Sequence, residues 1–235
     1  MIPKLLFIDI DNTLLDFDAY VKQTMKTGFE HFGLKSYEPW MYDVFTEINN
    51  RLWRKIEDGT LTFENLQKIR WKMIFEKLDI DFDGPAFECY FRKALNESAI
   101  PVAGAYEMLE ELYGKYIICA ASNGPYNQQV HRIDIAGMSK YFNYMFISED
   151  IGVSKPDKAF FDIAFQRING GRTEQILPEQ CAIIGDSMTS DMAGGKACGM
   201  RTCFFRRDNS FAPNEGSVDM IADCLTDVPG LLTKA

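Results

Sequence analysis

The chain has 235 residues, 46% of them hydrophobic, with 34 Asp and Glu against 25 Lys and Arg and a formal net charge of −9. That length and composition suit one large domain, or one domain carrying a sizeable insertion, and exclude intrinsic disorder and fibrous folds, while the acidity excludes the basic face of a nucleic-acid binder. No apolar run approaches the roughly 20 residues of a bilayer span, and the early run 5–8 is cut off by Asp9 and Asp11, so the expectation is a soluble, cytoplasmic protein without a signal peptide.

The run 5–8 is short, apolar and β-rich, and reads as the first strand. Segments 20–32, 40–56, 63–78 and 85–95 then read as helices, with Gly33, Gly59 and Gly84 as breaks. In the third, Leu66, Ile69 and Met73 mark one stripe and Trp71, Phe75 and Leu78 another, which predicts packing on more than one side. The next strand signal comes only at 116–121, too far for a single crossover connection, and is followed by further β-rich runs at 144–147, 181–184 and 202–205 with helical stretches among them. This alternation predicts an α/β fold, a Rossmann-like parallel sheet with helices on both faces, interrupted by an all-helical insert. The expected division places residues 1–16 and 99–235 in the sheet domain and 17–98 in the helical domain, with Pro101 and Gly104 suited to a hinge.

The six cysteines form no C-x-x-C pair, and Cys119, Cys181 and Cys203 lie in strand-like runs, so they read as reduced core thiols. With only His31 and His131 present, a zinc site built on imidazole is not expected. The G-x-S-x-G, G-x-G-x-x-G and Walker A patterns are all absent, against serine-hydrolase, dinucleotide and P-loop chemistry.

The first strand runs into Asp9-Ile10-Asp11-Asn12-Thr13, which sets two carboxylates at the carboxyl end of a central strand, where open α/β sheets bind ligands. Two acids emerging from a buried strand are costly unless a cation or hydrogen bonds compensate them; the plainer alternative is a surface strand end. A second acidic cluster, Gly185-Asp186-Ser187 with Asp191, follows the run 181–184, and a helix from near Ser187 to Gly199 would carry Asp191 about one turn inside. Asp186 and Asp191 could face Asp9 across one crevice as an oxygen-rich site for Mg²⁺, or be a helix cap and a solvated acid. Ser122-Asn123-Gly124-Pro125 follows the second strand and offers a hydroxyl and backbone N–H groups to phosphate oxygens, or is an ordinary turn. Lys155, in Ser154-Lys155-Pro156-Asp157, could offset the carboxylates and pair with an anion, or be a surface lysine; Pro156 suits the first position of a helix over 157–168.

In order and spacing, these four motifs resemble those of the haloacid-dehalogenase superfamily of phosphohydrolases: Asp9-x-Asp11-x-Thr13 the first, Ser122 the second, Lys155 the third, and Gly185-Asp186-Ser187 with Asp191 the fourth. The resemblance implies that Asp9 is the nucleophile that forms an aspartyl-phosphate and Asp11 the general acid and base. It further implies Mg²⁺ held by the Asp9 carboxylate, the Asp11 backbone carbonyl and Asp186, supported by Asp191, with Ser122, the Asn123 backbone and Lys155 on the remaining phosphoryl oxygens. The insert resembles that superfamily's helical cap of the first type, which closes over the site.

True dehalogenases of the superfamily lack an acid at the position of Asp11, and phosphonate-cleaving members replace it, so the resemblance favours a phosphomonoesterase. Phosphomutases keep both acids but usually have Gly where this chain has Asn12. Leu52-Trp53, Asp58-Gly59-Thr60-Leu61-Thr62 and Arg70-Trp71, with Ser122-Asn123-Gly124 and Val130, resemble the bacterial pyrimidine 5′-nucleotidases of the superfamily, some of which act on modified nucleotides. The expected partner is therefore a small phosphate ester, with no nucleic-acid polymer and no membrane. A sugar-phosphate phosphatase or phosphomutase is the alternative, and a binding module without turnover the second; such a module would have no need of both Asp9 and Asp11. Phe17, Tyr20 or Trp53 could stack on a base and Arg54 or Arg70 read its edge, although aromatics at helical spacing suit a core and Arg70 could equally pair with Glu47 or Glu57.

Overall fold

Each β-rich run forms a strand of one parallel sheet in the computed structural model of the chain, which describes residues 2–207, 213–214 and 216–234. The strands are β1 (Leu5–Ile8), β2 (Ile117–Ser122), β3 (Tyr144–Ile147), β4 (Cys181–Gly185), β5 (Arg201–Phe205) and β6 (Met220–Ala222), in the spatial order β3-β2-β1-β4-β5-β6. The sixth strand was not expected from sequence: three residues are too few to display a period of two, and it sits at the sheet edge, with Met220 and Ala222 buried and Ile221 exposed. Between β1 and β2 come α1 (Phe17–His31), α2 (Trp40–Glu57), α3 (Phe63–Leu78), α4 (Gly84–Asn96) and α5 (Ala105–Leu112). Then α6 (Tyr126–Ile135) follows β2, α7 (Ser148–Ile151) and α8 (Lys158–Asn169) follow β3, α9 (Ala193–Cys198) precedes β5, and α10 (Val228–Thr233) is the last helix.

The period of two sorts β1 onto both faces of the sheet. Leu6 and Ile8 join a core with Leu109, Ile118, Ile133 and Val228, while Leu5 and Phe7 join the opposite core with Phe146, Phe161, Ala164 and Ile183. Since both faces are covered, β1 reads in sequence as an unbroken apolar run rather than an alternating one. β1 is central, in register with Ile117 of β2 and Cys181 of β4 through Leu5. The chain builds outward from β1 through β2 to β3, then returns to β4 on its other side, so the ends of β1 and β4 form the topological switch point.

The chain forms two compact units, residues through Asp16 together with Ala99 onward, and Phe17–Ser98. In the first unit the two connecting segments lie side by side, with Asp16 N–H donating to Ile100 O at 2.7 Å and Val102 N–H to Leu14 O at 2.9 Å.

The second unit is built on α1 to α4. Helix α3 starts where the Thr62 side chain accepts from Asn65 N–H at 3.2 Å and stops at Asp79, which takes a left-handed conformation. Trp71 of α3 is fully buried among aromatic rings, its centroid 4.3 Å from Phe87, 5.2 Å from Phe91 and 5.6 Å from Phe45. These partners come from α2 and α4, so α3 does pack on two sides. Arg70 pairs with neither Glu47 nor Glu57: it is buried and bidentate to Glu88, at 2.7 and 3.1 Å, and donates to Asn49 Oδ1 at 3.0 Å. Tyr20 is buried too, its hydroxyl donating to Phe91 O.

All six cysteines are free; Cys119, Cys181 and Cys203 are buried, and burial pushes the Cys181 and Cys203 thiols up to about 12. Among the described residues no helix is long and apolar enough to cross a membrane.

Candidate active site

At the carboxyl end of β1 the backbone stays tied to β4, with Asp9 N–H donating to Ile184 O at 2.9 Å, and then turns sharply, with Leu14 N–H and Leu15 N–H both returning to Ile10 O at 2.9 Å. Asn12 carries the turn with φ of 62°, in the left-handed region where Asn is tolerated far better than branched residues. The turn sends the two acids different ways. Asp9 is 8% exposed and faces inward, while the Asp11 side chain is 33% exposed.

Lys155 is no surface lysine. It is 1% exposed, and its ammonium donates to Asp9 Oδ1 at 2.8 Å, to Asp191 Oδ1 at 2.5 Å and to the Ala121 carbonyl at 2.5 Å. Burial works against its charge, but Asp191 and Asp9 outweigh that and hold its pKa above the usual lysine value. Burial likewise pushes the Asp9 carboxyl up to about 7, opposed by Lys155 and reinforced by Asp191 and Asp11. Pro156 does not begin the helix as its sequence position suggested. Asp157 is the N-cap, accepting from Ala159 N–H at 2.9 Å, and α8 starts at Lys158. Lys155 therefore sits in the loop ahead of the helix, two residues before the cap. Asn123 grips this loop at both backbone positions of Lys155, donating to its carbonyl and accepting from its N–H, each at 2.8 Å.

The segment after β4 departs from the plain helix expected from Ser187 to Gly199. Met192 N–H and Asp191 N–H both return to Ser187 O, which opens the first turn, Met188–Met192, into a π turn before α9. The wider turn folds Asp191 back over β4, where its Oδ2 accepts from Ser187 N–H at 3.1 Å; Asp191 is wholly buried rather than solvated. Gly185 makes this approach available, since a Cβ there would stand 2.2 Å from Asp191 Oδ2.

Asp9, Asp186 and Asp191 each offer a carboxylate oxygen, and these oxygens lie within 4.8 Å of one another. Three carboxyl groups thus converge beside the Lys155 ammonium in a largely buried place. An all-oxygen donor set of this kind fits a hard divalent cation such as Mg²⁺. Asp191 thus stands among the converging oxygens rather than behind them. The Asp11 carboxylate does not join this cluster.

Instead, Asp11 is held by two residues of α6 that sequence reasoning passed over. Arg132 Nη1 donates to Asp11 Oδ1 and Gln129 Nε2 to Asp11 Oδ2, both at 2.6 Å, and Gln129 Nε2 also donates to Ser122 Oγ at 2.9 Å. Their signal was their i,i+3 spacing on a helix that begins just after Ser122-Asn123-Gly124-Pro125, which puts both on one face. The structure therefore gathers Asp9, Lys155, Asp186 and Asp191 into one cluster and links Asp11 to Ser122 through Gln129, with Asn123 joining the Ser122 and Lys155 loops.

Residues 3–199 match the haloacid dehalogenase-like hydrolase family model. YfnB of Bacillus subtilis, a HAD-hydrolase by name, is 30% identical over 205 residues, which are 87% of this chain and 85% of YfnB. A crystal structure of YfnB bound to magnesium superposes with a TM-score of 0.87 at 27% identity, covering 100% of both chains. The pyrimidine 5′-nucleotidase PynA of Streptococcus pneumoniae is 30% identical over 206 residues, 87% of this chain and 84% of PynA. The pyrimidine 5′-nucleotidase YjjG of Escherichia coli is 28% identical over 232 residues, 97% of each chain. The sheet order, the buried lysine between acids from β1 and the β4 turn, and this match over most of the chain agree, and the protein belongs to the haloacid dehalogenase-like hydrolases.

Proposed function

We propose that the protein is a Mg²⁺-dependent phosphomonoesterase that works through an aspartyl-phosphate on Asp9 and takes pyrimidine nucleoside 5′-monophosphates, ordinary or modified, as substrates. The observation that carries this reading is the separation of the two acids: Asp9 lies against Lys155 with Asp191 and Asp186 close by, while Asp11, two residues on, stands apart on Arg132 and Gln129. Two carboxylates in different surroundings suit two different tasks.

In the first step a carboxylate oxygen of Asp9 bonds to phosphorus as the bond from phosphorus to the ester oxygen breaks, and Asp11 gives its proton to the departing alkoxide. In the second, Asp11 takes a proton from water as the water oxygen bonds to phosphorus, and the Asp9 carboxylate is released. Lys155 stays charged throughout and, with the Ser122 hydroxyl and the Asn123 N–H, receives the phosphoryl oxygens. Mg²⁺ would be held by Asp9, the Asp11 carbonyl and Asp186, with Asp191 beside them, and would supply charge neutralisation for the transferring group. The pyrimidine preference is supported by the similarity to PynA and YjjG.

Phosphate release from a panel of pyrimidine and purine 5′-monophosphates and sugar phosphates, with and without EDTA, tests this reading. The expected result is EDTA-sensitive release, fastest from dUMP, dTMP or UMP. Preference for a sugar phosphate would remove the nucleotidase assignment, and phosphoryl transfer to a second sugar hydroxyl would make the protein a mutase. The site geometry gives a further expectation: Gly185→Ala pushes Asp191 out of place and lowers kcat/KM about 10²-fold, the scale of a 1 Å misplacement. An unchanged rate would mean that Asp191 can shift at no cost.

A further inference from the structure

The reaction above uses Asp11 and Ser122 but assigns nothing to the two α6 side chains that touch them. Gln129 and Arg132 are 2% and 1% exposed, among the most deeply buried polar side chains of the sheet unit, and they close a ring with Asp11: Arg132 Nη1 donates to Asp11 Oδ1 at 2.6 Å and to Gln129 Oε1 at 3.0 Å, while Gln129 Nε2 donates to Asp11 Oδ2 at 2.6 Å. The ring fixes the amide orientation by itself. A guanidinium only donates, so the Gln129 oxygen must face Arg132, and its NH₂ must face Asp11 and Ser122. One N–H goes to Asp11 and the other to Ser122 Oγ at 2.9 Å. The Ser122 oxygen is then an acceptor toward Gln129, which leaves its own hydrogen to donate elsewhere. Gly124 leaves the room for this, since a Cβ there would lie 2.8 Å from Gln129 Nε2.

We propose that Gln129 and Arg132 are a two-residue positioning clamp for the phosphomonoesterase reaction: they hold both oxygens of Asp11 in one orientation for proton transfer and present the Ser122 hydroxyl as a donor to the phosphoryl group. The proposal rests on the phosphatase reading of the same site. Each Asp11 oxygen keeps one lone pair in the ring and one outside it, and the side chain is a third exposed. Without the clamp the carboxylate samples other rotamers, and a proton donor displaced by about 1 Å loses on the order of 10²-fold in rate.

The test compares wild type, Arg132→Met, Arg132→Lys, Gln129→Met and Asp9→Asn, with Mg²⁺ present, on the best alkyl monoester of the substrate panel and on p-nitrophenyl phosphate, whose leaving group departs without a proton. For Arg132→Met and Gln129→Met, kcat on the alkyl ester is expected to fall about 10²-fold with KM within about threefold. On p-nitrophenyl phosphate the same variants should show a stoichiometric burst of nitrophenolate followed by slow turnover, because the first step no longer needs Asp11 and the second still does. Arg132→Lys keeps one donor on Asp11 and should recover most of the rate. Thermal midpoints identify any variant that has not folded, and Gln129→Met, which conserves volume, then carries the test. Unchanged kcat in both Met variants, or equal losses on the two esters with no burst, overturns the clamp; if Asp9→Asn is inert in the same experiment, the phosphatase reading stands without it. No release by wild type from either ester overturns both.

Discussion

Asp9→Asn is expected to fold normally and to lose at least about 10⁴-fold of its phosphate release. An amide oxygen does not attack phosphorus, and no other acid in the cluster occupies the end of β1. The fold should survive because what holds this position is retained: Asp9 N–H still donates to Ile184 O, and an Asn oxygen can still accept from Lys155 Nζ, 2.8 Å away in the native protein. One of the carboxylates crowded around that ammonium is also removed, which relieves repulsion with Asp191. The thermal midpoint measured without Mg²⁺ should therefore equal or exceed that of the wild type. Turnover at the wild-type rate would place the nucleophile elsewhere, and a collapsed midpoint would mean that Asp9 is structural.

Lys155→Met should cost both activity and stability. Lys155 pairs with both Asp9 and Asp191, and it also satisfies the Ala121 carbonyl. Taking away one partner of a buried ion cluster leaves uncompensated charge behind, a loss of about 3–5 kcal/mol. The check is urea denaturation in EDTA, read as a lower midpoint at unchanged slope. Adding Asp9→Asn to the same chain should restore part of the loss, because it removes one of the charges left unpaired; strict additivity of the two changes would deny the coupling. Lys158→Met serves as contrast. Lys158 pairs with Asp162 in full solvent on α8, and its loss should leave the midpoint nearly where it was.

The acids and the lysine were legible because each motif follows a strand. Apolar runs of four to six residues that end in Asp, Ser or Gly locate strand ends without any tertiary information, and in a parallel sheet all such ends lie on one side. The inserted helical unit was legible for a related reason: the distance between the first two β-rich runs exceeds what a crossover can span. Gln129 and Arg132 were not legible in this way. A polar pair three residues apart on a helix suits a solvated face just as well as a buried one, and only the folded chain buries both against Asp11 and Ser122.

Arg70 teaches the same point in the second unit. Glu47 and Glu57 on α2 were the candidates from sequence, yet the ion-pair partner is Glu88 on α4, because α3 packs against both α2 and α4 and buries Arg70 where Glu88 and Asn49 meet it. The residue types and spacing of this chain were enough to predict a parallel sheet interrupted by helices and to single out the acids, hydroxyl and lysine that follow its strands. Which carboxylate meets Lys155, which meets Arg132, and that Asp191 comes to lie beside Asp9 depend on distances between segments more than 30 residues apart in sequence. Hydrophobic periodicity is a local property that each segment carries by itself. The partner of a buried charge is settled only when the sheet and helices have closed and each desolvated group must satisfy itself from whatever the fold has brought within about 3 Å.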